Sequence, residues 1–186
     1  MRWWVDMKNN KSSQVALMGM MCALSIAISF IEGLIPQFIP IAGVKPGFSN
    51  IVTMFCATTL GAPYALGIVL FKSVFALITR GTTAFFMSLC GGLLSLSVLL
   101  ILLKTKPNRI GYIGIGVLCA LFHNAGQFIV AVIILGKAVL PLAGLLVITG
   151  VAFGMVTGAI FGISNTRLYE QTKKLSQRFN KNAKKG

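Results

Sequence analysis

The stretch AFFMSLCGGLLSLSVLLILL, residues 84–103, contains no charged side chain and is followed closely by Lys104, Lys106 and Arg109. At a rise of about 1.5 Å per residue, twenty helical residues cover about 30 Å, the hydrocarbon thickness of a bilayer. A water-facing helix cannot afford such a run, because it leaves no polar face. The segment therefore reads as a membrane span, and the basic cluster behind it as an anchor on one side.

Outward from this span the same pattern recurs. Apolar runs punctuated by Pro, Gly and charge fall at 14–35, 47–60, 62–79, 84–103, 109–135 and 138–164. The second is short and meets the third at the Gly61-Ala62-Pro63 break. Six helices of about 20 residues would use about 120 residues, leaving short loops and two tails. Composition agrees: 56% of the 186 residues are apolar and 11% charged, with mean hydropathy +0.86. Soluble domains carry about 25% charged residues. The expected fold is thus all-α, a polytopic six-helix membrane bundle over 14–164. A cytoplasmic segment, 1–13, precedes it, and a basic cytoplasmic tail, 165–186, follows.

Charge orients the bundle. Seventeen basic residues face three acidic ones, Asp6, Glu32 and Glu170. With both termini cytoplasmic, the inner side carries Arg2, Lys8, Lys11, Lys104, Lys106, Arg109 and seven basic residues from Arg167 onward. The outer side holds only Lys45, Arg80 and Lys137. That asymmetry satisfies the positive-inside rule, and five or seven spans would spoil it. The excess of basic residues points to anionic lipids and not to nucleic acid. Trp3 and Trp4 read as interfacial anchors. Leu168, Leu175 and Phe179 among the basic tail residues suit either a helix on the inner surface or a solvated end.

Few residues remain for chemistry. There is no GxxxxGK[ST] loop and no neighbouring acidic pair, and one histidine cannot build a zinc site. No catalytic residue, metal or cofactor is expected. Cys22, Cys56, Cys90 and Cys119 lie in apolar segments and read as small core residues. The first apolar run lacks a small-x-small cleavage site before Glu32, so a retained helix is expected.

The informative residues are the polar ones inside spans, where an unpaired charge costs several kcal/mol. Glu32 lies near the outer end of the first helix, and Ser49 and Asn50 near that of the second. Lys72 is mid-way along the third with Arg80 at its mouth, while His123, Asn124 and Gln127 occupy the fifth. All sit at or above the midplane. With Lys45, the positive charges exceed the single Glu32, so an outward cavity for an anionic or carbonyl-rich ligand is expected. The plainer alternative pairs Lys72 with Glu32 and makes Asn124 and Gln127 interhelical glue. Gly19, Ala23 and Ala27 repeat every fourth residue on the first helix, a smooth strip for a partner protein or for internal packing.

Two runs carry a family resemblance: Gly43-Val44-Lys45-Pro46-Gly47-Phe48-Ser49-Asn50 and His123-Asn124-Ala125-Gly126-Gln127. With Phe30-Ile31-Glu32-Gly33 and Ser88-Leu89-Cys90-Gly91-Gly92, they resemble the heptaprenyl diphosphate synthase component I family, also called the Gx transporter family. That family in turn resembles the substrate-binding S components of energy-coupling factor (ECF) transporters. The resemblance implies a bacterial cytoplasmic membrane protein binding a small-molecule substrate, either anionic or isoprenoid- or quinone-related. It also implies a transmembrane coupling protein and two ATPases as partners, with Gly19, Ala23 and Ala27 at the interface. The alternative it implies is a non-catalytic membrane subunit of polyprenyl diphosphate or menaquinone metabolism, or of quinone-linked extracellular electron transfer. The Asp-rich motifs of prenyl diphosphate synthases are missing, since the chain has one aspartate.

Overall fold

The computed structural model describes residues 11–34, 47–104 and 111–183. Six helices account for nearly all of them: α1 (Lys11–Leu34), α2 (Asn50–Thr59), α3 (Ala62–Arg80), α4 (Thr82–Lys104), α5 (Gly111–Leu135) and α6 (Ala143–Ala183). A 3-10 stretch, Gly136–Leu142, joins α5 to α6. No strand occurs among the described residues. Trp3, Trp4 and Lys45 lie outside them, as do the side chains of the basic tail beyond Thr166.

Five of the six expected apolar runs become long helices, four of them within a few residues of their expected limits. The second does not. At ten residues, α2 is about 15 Å long, half a bilayer core. It ends where Gly61 turns the chain at φ +102° and Pro63 opens α3, a position at which a missing N–H costs nothing. The last helix, α6, runs on to Ala183, past the end of the expected apolar run at 164.

Four stretches are long and apolar enough to cross a membrane: Ser12–Leu34, Ala62–Arg80, Thr82–Lys104 and Gly111–Thr166. The last, 56 residues long, is not one rod. It folds back at Gly136, whose φ of +76° suits glycine far better than other residues. Asn165 then donates to the Tyr112 hydroxyl at 3.1 Å, and Asn124 donates to the Leu146 carbonyl at 2.9 Å. Residue numbers rise along α5 as they fall along α6, so the pair is an antiparallel hairpin. Glycines let these two helices meet backbone to backbone. A Cβ on Gly116 would come within 2.4 Å of the Gly158 Cα, and one on Gly158 within 2.7 Å of the Tyr112 carbonyl oxygen.

The neighbouring pairs follow the same antiparallel logic. Ser73 of α3 bonds Ser88 of α4 at 3.3 Å, and Gly91 of α4 lies against His123 of α5. At the other edge α1 runs parallel to α3, with Tyr64 bonded to Gln14 and Met18 against Gly67. The short α2 touches α1, α3, α4 and α6. Just before it, Phe48 packs edge-on against Phe153 of α6, the ring centroids 5.0 Å apart.

Burial is inverted relative to a water-soluble fold. Ile78, Ile133 and Met20 are at least 70% exposed, whereas Lys72, Glu32, His123 and Gln127 are at most 4% exposed. Apolar side chains facing outward on every long helix are those of a multi-pass membrane protein. Two apolar clusters hold the interior. One, around Met54, Ile68, Leu99 and Phe161, lies toward the end away from the α5–α6 turn. The other, around Met87, Ala131, Val139 and Leu146, lies beside that turn. The buried charges lie between these clusters.

Candidate ligand-binding site

Lys72 anchors the polar region. Half-way along α3 and 3% exposed, its ammonium cannot be left unpaired in an apolar interior. It donates to the Asn50 side-chain oxygen at 2.6 Å. Asn50 opens α2, so the shortness of α2 brings its first residue level with the middle of α3 rather than the end of the bundle. The sequence placed Ser49 and Asn50 just inside the outer end of a short second run; the structure sets Asn50 within reach of the middle of α3.

The approach to α2 is tight. Gly47 is buried with φ +86°, and a Cβ there would stand 3.1 Å from both Asn50 Nδ2 and His123 Cδ2. A larger residue would be strained and crowded at once. Two residues on, the Ser49 N–H donates to Glu32 Oε1 of α1 at 3.3 Å. The carboxylate thus sits at the N-terminal end of α2, where the helix dipole favours negative charge.

From the other side α5 supplies His123 and Gln127, one turn apart on the same face. The Gln127 side-chain nitrogen lies 2.7 Å from His123 Nε2, within hydrogen-bond distance. Nδ1 faces Gly91 of α4, where a Cβ would come within 2.8 Å of it. The Gly91-Gly92 pair therefore makes room for the imidazole and for Val69 behind it.

These side chains surround one cavity, lined by Ser29, Glu32, Gly47, Ser49, Lys72, Arg80, Ser88, His123 and Gln127. Its free volume is about 10 Å³, the room of a single water. Two cations and one carboxylate line it, a net charge of about +1. The convergence expected from sequence is present, with α4 added through Ser88. The space itself is water-sized rather than ligand-sized. No group of three or more potential metal-ligating side chains occurs among the described residues.

Two expected members do not line the cavity: Asn50 bonds Lys72, and Asn124 is turned elsewhere. Asn124 does not line the cavity; it ties α5 to α6 through the Leu146 carbonyl, while its own buried Oδ1 has no hydrogen-bond partner. It behaves as interhelical glue. Three lining residues went unread in the sequence: Ser29, Gly47 and Ser88. Ser29 carried a usable signal, since it precedes Glu32 by three positions and shares its helix face.

A family model described as heptaprenyl diphosphate synthase component I matches residues 21–163. The chain belongs to that family. No curated protein and no solved structure matches it. The matched region contains every residue lining the cavity and both glycine-rich contacts of α4 and α5. The family is described as a component, which implies a partner protein.

Proposed function

We propose that this chain is the ligand-binding membrane subunit of an importer resembling the energy-coupling factor type. On this reading it is non-catalytic, crosses a bacterial cytoplasmic membrane with six helices, of which the short α2 covers half the core, and keeps both termini in the cytoplasm. Lys72 and Arg80 attract a small anionic molecule, and Ser49, His123 and Gln127 orient it. The carrying observation is the convergence of charged side chains from α1 and α3, with polar groups from the α2 entry, α4 and α5, on one cavity inside an apolar bundle. Structural glue alone would need neither two cations nor a cavity between them.

The strip on α1 supports a partner. Gly19, Ala23 and Ala27 are all exposed, and a Cβ on Gly19 would meet nothing within 4 Å. The comparable glycines of α6 are closed against α5. A flat, small-residue face left open on a peripheral helix suits close packing by a helix of another protein, here a coupling protein driven by two ATPases.

A second reading has its own observation. Between α1, α2 and α6 lies an apolar groove of about 230 Å³, lined by Met21, Leu24, Ile51, Val52, Phe55, Phe161 and Ser164. It would accept an aliphatic or isoprenoid chain, as a membrane subunit of polyprenyl diphosphate or quinone metabolism requires. Isolation of the full chain from its native membrane in mild detergent separates the two readings. Recovery of a coupling protein with ATPases supports the importer; recovery of a prenyl diphosphate synthase or a flavoprotein instead overturns it.

A further inference from the structure

The cavity poses a physical problem for any ligand. Its volume of about 10 Å³ holds one water, and even a carboxylate group is larger than that. Something lining it must move. The lining groups are not equivalent in this respect. Lys72 bonds Asn50, His123 bonds Gln127 and lies against Gly91, and Ser88 bonds Ser73. Glu32 belongs to α1, the most peripheral of the long helices, with Gly33 and Leu34 exposed beside it.

Glu32 is also the one anion at the site, and it holds the position an anionic ligand would want. Its Oε1 takes the Ser49 N–H at the start of α2, and it lines the same cavity as Lys72 and Arg80. Broken or short helices in membranes commonly aim such N-terminal ends at anionic groups. An incoming anion would meet like charge at close range while Glu32 stayed. If the carboxylate leaves, the space it vacates is carboxylate-sized and the two cations are released for the ligand.

We infer that Glu32 is a built-in occupant of the ligand's anion subsite, displaced when a carboxylate or phosphate group binds between the α2 N-terminus, Lys72 and Arg80. The inference rests on the ligand-binding reading above. It makes Glu32 the residue that sets the threshold for binding: weak anions fail to displace it, and strongly charged ones succeed. The carboxylate also compensates the buried Lys72 and the half-buried Arg80 while the subunit is empty.

The test uses the full chain in detergent, with inorganic phosphate and acetate as separate probes and thermal stabilisation or calorimetry as readout. Glu32→Gln keeps the shape of the side chain and removes its charge. It is expected to bind at least one probe about tenfold more tightly than the wild type, the size of one removed like charge in a partly screened site. Adding Lys72→Gln to that variant should abolish the gain. Equal or weaker binding by Glu32→Gln overturns the inference, as that is the behaviour of a purely structural carboxylate. Should Glu32→Gln fail to fold, Glu32→Ala gives the same comparison, with the same gain expected and an absent gain again contradictory. A wild-type chain that retains an anionic compound dependent on Lys72, with no gain in either variant, would remove the displacement and leave the binding reading intact.

Discussion

Two strips of small residues with the same spacing meet opposite fates in this bundle. Gly154, Gly158 and Gly162 of α6 are packed against α5, close enough that added methyl groups would collide with backbone at the first two positions and with the Tyr112 ring at the third. Gly19, Ala23 and Ala27 of α1 face outward with nothing opposite. Spacing every fourth residue tells where a helix can be approached closely, not whether the approaching helix belongs to the same chain. The contrast assigns one strip to folding and leaves the other for assembly.

Substitutions at the two strips should therefore separate sharply. Gly158→Leu forces apart the Tyr112–Ile113 backbone and should cost about 3 kcal/mol or more, seen as loss of monodisperse protein after detergent extraction. A well-behaved Gly158→Leu protein would break the comparison on its closed side. Asn124→Ala lies between the extremes. It removes the bond to Leu146 and should lower stability by about 1 kcal/mol, measured as a shifted melting temperature, while ligand retention persists because Asn124 does not line the cavity. Ala23→Leu should change stability by no more than about 0.5 kcal/mol, yet prevent recovery of the partner protein. Destabilisation comparable with that of Gly158→Leu would reassign the α1 strip to internal packing.

Most of the fold was legible because hydropathy and helix length are both one-dimensional. The limits of α3, α4 and α5 follow directly from Gly61-Pro63, Gly81, Lys104 and Gly111. That the second run is short was legible, but the start of α2 at Asn50 was not, because nothing local says that Gly47 and Phe48 turn before it. That one shortfall moved Ser49 and Asn50 deep enough to meet Glu32 and Lys72. The site was legible as a set of costly polar residues, but the face each presents depended on helix rotation. Asn124 and Gln127, three positions apart, proved to serve different partners. Ser88 gave no warning, since serine is common in apolar spans.

The central claim is that the buried charge around Lys72 exists to hold an anionic molecule. Its most direct test is mass spectrometry of the small molecules retained by the wild-type chain and by Lys72→Gln, each extracted from membranes under the same mild conditions. The binding reading expects an anionic compound in near-equimolar amount with the wild type and its loss from a Lys72→Gln protein that remains folded. Retention of the same compounds by both proteins, or of none by the wild type, would contradict it.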